Sequence, residues 1–181
     1  MGKKYKFTKE TTNLADKTLY RIEALKDFSD VKKGDKGGFI ENEHNLSQYG
    51  DAWIGNNAKV FEDARVYGNA DVSDCAYVFG NAQVFGDAEV FGNAEVYSRS
   101  HISSNACISS VDDFFVICSI GHRGDITFYK TKDNNISVSC IWFNGSIDEF
   151  LKKVDEIHGT DKYVKEYYAA ADRARIRIKL D

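Results

Sequence analysis

The chain has 181 residues, with 24 Lys and Arg against 28 Asp and Glu and a net charge of −4. This balance disfavours generic nucleic-acid binding, which calls for a basic surface to neutralise phosphates. No apolar run is long enough to span a bilayer, and the start of the chain (Met1 to Phe7) is charged without the apolar stretch of a signal peptide. The expectation is a protein of one or two domains with no membrane partner, located in the cytoplasm.

The N-terminal stretch reads as β-rich. Tyr5 to Thr8 and Leu19 to Leu25 alternate as strands do, and Thr11, Thr12 and Asn13 supply loop residues between them. Gly34, Gly37 and Gly38 lead towards the next segment, where Phe39, Ile40 and Leu46 are expected to cap an apolar interior.

From residue 52 to 110 the sequence repeats every six residues. An aliphatic residue returns at Ile54, Val60, Val66, Val72, Val78, Val84, Val90, Val96, Ile102 and Ile108. Four residues after most of these lies an alanine, such as Ala58, Ala64 and Ala70, and pairs such as Gly68-Asn69 and Gly86-Asp87 fall between. Val and Ile suit a pleated surface, Gly, Asn and Asp turn a corner at positive φ, and Ala fits a narrow interior. Six residues form one side of a triangular prism and three sides form a coil, so each coil needs its neighbours for its backbone hydrogen bonds. The hexads and their approach give roughly four coils, about 20 Å tall at the inter-strand spacing. This pattern resembles the left-handed parallel β-helix of the hexapeptide-repeat superfamily. The resemblance implies the left hand and a homotrimer.

Residues 18 apart stack on one face. Phe61, Phe79 and Tyr97 therefore form one outward ladder, and Tyr67 and Phe85 form another that ends at Ser103. The first is read as an exposed aromatic stripe, and hence as the oligomer interface.

The pattern changes at Val111. Strands are expected at Phe114 to Ile120, Ile126 to Lys130 and Ile136 to Phe143, joined by Gly121-His122-Arg123-Gly124-Asp125 and by a turn at Lys132 to Asn135. Ser146 and Glu149 form a capping box that opens a helix with Phe150, Leu151, Val154 and Ile157 on its apolar face, stopped by Gly159. A second helix runs from about Lys162 towards Ile178. The expected architecture is mainly β: an N-terminal β segment and cap (1–51), a hexapeptide β-helix (52–110) and a small C-terminal α+β module (111–181). Both flanks and the hexads together resemble an uncharacterised family of phage and prophage β-helix proteins. The stretches that carry this are Leu19 to Ile22 through Gly37-Gly38-Phe39-Ile40-Glu41, Gly121 to Thr127, Phe143 to Phe150, and Ile157-His158-Gly159. The resemblance implies a virus-encoded or prophage-encoded protein and brings no catalytic residues with it.

The chemistry-bearing residues are few. His44, His101, His122 and His158 do not cluster as zinc ligands would, so no metal or other cofactor is expected. His101 falls on the regular repeat, in line with Arg65 and Gln83, and reads as a surface residue without the partner a general base needs. The four cysteines, Cys75, Cys107, Cys118 and Cys140, read as buried thiols. The most suggestive segment is Gly121 to Asp125: glycines beside Arg123 let the backbone approach an anion, and a guanidinium offers paired donors to phosphate. Gly121, His122, Arg123, Gly124 and His158 are thus the expected ligand site, with Asp125 orienting Arg123; the bland alternative is a polar hairpin turn. The favoured reading is a non-enzymatic protein that sequesters a small anionic, nucleotide-like molecule to counter host antiviral defence. The alternatives are an inhibitor of a host defence protein, an enzyme using His122, Arg123, Asp125 or His158 on a phosphorylated substrate, and a virion component.

Overall fold

The computed structural model describes residues 2–120, 124–159 and 163–181. An antiparallel hairpin comes first, β1 (Tyr5–Leu14) and β2 (Lys17–Ala24), followed by β3 (Lys36–Ile40). The hexads then form ten strands of two residues each: β4 (Trp53–Ile54), β5 (Lys59–Val60), β6 (Arg65–Val66), β7 (Asp71–Val72), β8 (Tyr77–Val78), β9 (Gln83–Val84), β10 (Glu89–Val90), β11 (Glu95–Val96), β12 (His101–Ile102) and β13 (Cys107–Ile108). A four-stranded antiparallel meander follows, β14 (Phe114–Ile120), β15 (Gly124–Lys130), β16 (Ile136–Cys140) and β17 (Phe143–Ser146), with helices α1 (Ile147–His158) and α2 (Val164–Arg177) at the end.

The short strands pair in parallel with those three positions away, giving three faces: β3-β5-β8-β11, β4-β7-β10-β13 and β6-β9-β12. The result is a β-solenoid of about four turns, as the six-residue period predicts. Each repeat aliphatic and its following alanine point inwards and are fully buried, Val60, Ala64, Val66, Ala70, Val72 and Val78 among them. Corners recur every six residues with positive φ, at Gly50, Asn56, Glu62, Gly68, Asp74, Gly80, Gly86, Gly92, Ser98 and Ser104. Several corners are not glycine, and their side chains repay the strain. The Glu62 carboxylate accepts from the Gly80 amide at 2.8 Å and that of Asp74 from the Gly92 amide at 3.0 Å, each one coil further on.

Beside the two-residue strands, the inter-coil hydrogen bonds run one way. The N–H of Arg65 donates to the carbonyl of Ala82, that of Gln83 to Ser100, and that of Asp71 to Ala88. The first coil therefore presents unclaimed carbonyls and the last coil unclaimed amides, and buried backbone groups need partners. The N-terminal segment supplies donors. The backbone N–H groups of Phe39, Glu41 and Ser47 donate to Ala58, Val60 and Val66. Asn45 Nδ2 reaches the carbonyls of Glu62 and Ala64, and the Tyr5 hydroxyl that of Leu46. Phe39, Ile40 and Leu46 thus cover the prism end as expected, and they do so by adding a coil: β3 pairs with β5, and Leu46 bridges Val66. Gly37 and Gly38 are required there because a Cβ on either would lie 2.5 Å from a backbone carbonyl oxygen, of Ile54 and Ala58 respectively.

At the other end the module supplies acceptors. Thr127 Oγ1 takes the His101 amide at 2.9 Å, and the Asp113 carboxylate takes the amides of Ser109 and Ser110 at 2.8 and 2.9 Å. Phe114 and Tyr129 close the apolar interior, while Phe128, on the opposite face of the meander, packs with α1 and α2. The capping box at Ser146 and Glu149 forms, and Gly159 ends α1 with φ +57.

Several local expectations are corrected. Thr11 to Asn13 continue β1, since the turn falls at Ala15 and Asp16. Gly124 and Asp125 belong to β15 rather than to the preceding turn. The expected strand 136–143 breaks at Ile141 and Trp142, where β16 turns into β17. Ile157 is 41% exposed, outside the apolar face of α1. Of the four thiols only Cys140 is buried; Cys75 and Cys118 are exposed because they lie at a corner and on the edge strand β14.

Lys4 is fully buried at the donor-demanding end. Its Nζ donates to the carbonyls of Ala52 at 2.7 Å and Gly50 at 3.3 Å, and lies 5.3 Å from the centre of the Phe28 ring. Burial lowers its pKa from 10.5 to about 8, against the attraction of Asp51. Between these values the unfolded chain binds a proton that the folded one does not, so this group's contribution to stability rises with pH from about 8 to 10.5 and is lost as pH falls through 8. Urea melts across that range should show the native chain gaining about 1–3 kcal/mol relative to Lys4→Met; parallel profiles for the two proteins would contradict this.

Candidate binding groove

Of the expected ligand residues, Gly121, His122 and Arg123 lie outside the described residues. Gly124 opens β15 with φ +95 and sits beside Ile141, whose Cδ1 would be 3.9 Å from a Cβ at this position. The Asp125 carboxylate accepts from the Ser119 amide at 3.0 Å and lies 3.6 Å from Arg99 Nη1, so its partners among the described residues are these two. His158, in the last turn of α1, packs against Trp142 and Tyr167 with ring centroids 6.5 and 5.2 Å away. Its Nε2 is buried and finds no hydrogen-bond partner among the described residues. Gly124 and His158 thus each adjoin one residue of the Ile141–Trp142 turn.

That turn is one wall of a groove of about 500 Å³ between the module and the β6-β9-β12 face of the prism. The prism wall is the second aromatic ladder: Tyr67 and Phe85 stack with centroids 5.0 Å apart and planes 2° from parallel. The ladder stops at Ser103, whose small side chain leaves room for Asn144. Asn144 Nδ2 donates to Ser103 Oγ at 2.5 Å, and its Oδ1 accepts from Ser104 Oγ at 3.2 Å. This clamp fixes Trp142 and Phe143 opposite the ladder. The Tyr67 hydroxyl donates to Gln83 Oε1 at 2.9 Å, which orients the Gln83 amide and leaves its NH2 without a partner among the described residues. His101 lines the same groove; its ring also has no hydrogen-bond partner there, and burial lowers its pKa against the attraction of Asp125. Burial likewise raises the pKa values of Tyr67 and Cys140.

The faces differ in charge. The strand residues of the groove face and those that follow them read Arg65, Gln83, His101, Tyr67, Phe85 and Ser103, with no carboxylate. The β4-β7-β10-β13 face carries Asp71 and Glu89 on its strands and Asp51, Asp74 and Asp87 beside them, in a depression of about 560 Å³. There burial raises the pKa of Asp71, and Glu89 and Asp74 add to the shift. Among the described residues no group of three or more His, Cys, Asp or Glu is placed to hold a metal ion. No helix among them is long and apolar enough to cross a membrane.

The first aromatic ladder forms, with Phe61–Phe79 and Phe79–Tyr97 centroids 5.2 and 5.7 Å apart, but it is not a continuous exposed stripe. Phe61 is only 7% exposed, because Leu14 and Leu19 of the long β1–β2 hairpin pack over it with Phe39. Phe79 is half-buried and Tyr97 exposed, so the outward part of the ladder is confined to its C-terminal end. Sequence reasoning missed the lining role of Trp142, Phe143 and Asn144. The available signal was the aromatic pair beside a strand end, together with the second ladder's abrupt end at Ser103. Comparison of the sequence with protein-family models and with curated proteins finds no match.

Proposed function

We propose that the chain is a non-enzymatic binding protein, phage- or prophage-encoded, that sequesters a small anionic, nucleotide-like molecule and so counters a host antiviral defence in the host cytoplasm. The observation that carries this reading is a groove on the prism face whose strand positions carry no carboxylate, bordered by Ile141, which adjoins Gly124 of the glycine-flanked Arg123 segment. An anion there escapes the repulsion it would meet over Asp71 and Glu89. Asp125 is engaged by Ser119 and Arg99, and His158 sits among aromatic rings, so neither is set up as the acid–base pair that turnover requires. The likeness of both flanks to phage and prophage proteins supports the viral setting.

In this reading Arg123 and the amides around Gly121 and Gly124 hold the anionic group, with His122 as a second donor. Loss of one charged hydrogen bond costs roughly 1.5–3 kcal/mol. Calorimetry with cyclic and linear nucleotides should therefore show Arg123→Ala binding about ten- to a hundredfold more weakly than the native chain. A variant that binds equally well would remove Arg123 from the site, and a native chain that binds no anionic molecule would remove the reading.

We also propose that the chain assembles as a homotrimer through the outward end of the first ladder, Phe79 and Tyr97, where Tyr97 is 38% exposed. Clefts between subunits are natural ligand sites. Light scattering at micromolar concentration should give three times the chain mass, and a monomer mass would refute the assembly.

A further inference from the structure

We infer that the groove between the Tyr67–Phe85 ladder and the Trp142–Phe143 turn is a subsite for a planar heteroaromatic ring of the nucleobase class. The ring lies against the aromatic side chains and is read at its edge by Gln83 and His101. This rests on the nucleotide-like reading above and assigns the part of the ligand that the anion-holding segment does not touch.

The groove has the parts such a ring needs. At about 500 Å³ it falls within the range of roughly 300–1,000 Å³ usual for small-molecule sites. Its walls are rigid without a ligand: the ladder rings are parallel and in contact, and Asn144 ties the opposite wall to Ser103 and Ser104. Trp142 and Phe143 are themselves packed, each against Phe150, at 5.6 and 5.5 Å. Tyr67 and Phe85 cover each other's faces, so the ladder offers ring edges to the groove, and the face of a flat ring lies favourably against aromatic edges.

The polar groups decide between a flat heterocycle and a purely apolar occupant. The Gln83 NH2 is held outward by the Tyr67 hydroxyl on its Oε1, and the His101 ring is free of other hydrogen bonds among the described residues. An aliphatic occupant would strip water from both without replacing those bonds, which is costly. A base edge carries donors and acceptors side by side. Burial favours the neutral form of His101, which offers one donor and one acceptor nitrogen to match. The backbone of His101 is fixed through Thr127, so the imidazole is presented from a set position. Gly124 adjoins Ile141 of the same groove, so the ring subsite lies beside the one described residue of the anion-holding segment.

The test uses the full chain and titrates the four nucleoside 5′-monophosphates, the four nucleosides, and ribose 5-phosphate, followed by calorimetry and tryptophan fluorescence. At least one nucleotide should bind tenfold or more tightly than ribose 5-phosphate and quench fluorescence through Trp142. Phe85→Ala and Gln83→Leu should each weaken that nucleotide by about tenfold or more while leaving ribose 5-phosphate unchanged. Ile176→Ala, an exposed residue of α2 outside the groove, should leave both unchanged. Ribose 5-phosphate binding as tightly as every nucleotide would overturn the ring subsite and leave the anion reading standing. A nucleoside binding as tightly as its monophosphate would keep the ring subsite and overturn the anion reading. No binding by any probe overturns both. Should Phe85→Ala fail to fold, Gln83→Leu decides: a folded Gln83→Leu protein that binds its nucleotide like the native chain overturns the assignment.

Discussion

Outside the two-residue strands the hydrogen bonds between coils have a direction, and the capping of both prism ends follows from it. Beside the strands each coil donates its N–H groups to the carbonyls of the next, so the prism ends with opposite needs. The N-terminal segment meets one need with donors, among them Lys4 Nζ, Asn45 Nδ2 and the Tyr5 hydroxyl. The C-terminal module meets the other with acceptors, Thr127 Oγ1 and the Asp113 carboxylate. The two caps are therefore not interchangeable. An end left uncapped would expose both unpaired backbone groups and an interior of Val, Ile and Ala, the usual reason that repeat arrays need specialised ends.

The C-terminal cap does more than close the interior. Its meander has two buried faces, Tyr129 turned to the prism and Phe128 to α1 and α2, so it acts as a rigid plate. Seating that plate through Thr127, Tyr129 and Asn144 brings the β16–β17 turn alongside the β6-β9-β12 face and makes the groove. A module built to satisfy backbone amides thus also creates a concave site, on the face where the repeat places no carboxylate.

The repeat was legible in the sequence because a strict period allows the eye to skip over unlike residues. Its inward aliphatics, its alanines and its glycine corners could all be read directly. Corners such as Glu62 and Asp74 could not, because their positive φ is supported by a glycine amide one coil away, a partner that no local pattern reveals. The first coil was hidden because Leu46 and Ile54 are eight residues apart instead of six. Phe61 was misjudged because the hairpin that covers it was read as shorter than it is. The groove was illegible for a related reason: residues 67–101 and 139–144 meet only when the plate docks.

The proposed site lies between prism and module. A crystal structure of the chain soaked with a nucleotide that it binds tests this most directly. Density is expected for a flat ring against Phe85 and Trp142, its edge towards Gln83 and His101, with the phosphate at the end of the groove where Ile141 meets Gly124. A nucleotide ordered elsewhere, over the Asp71–Glu89 face or on the Phe79–Tyr97 ladder, with this groove empty, would contradict it.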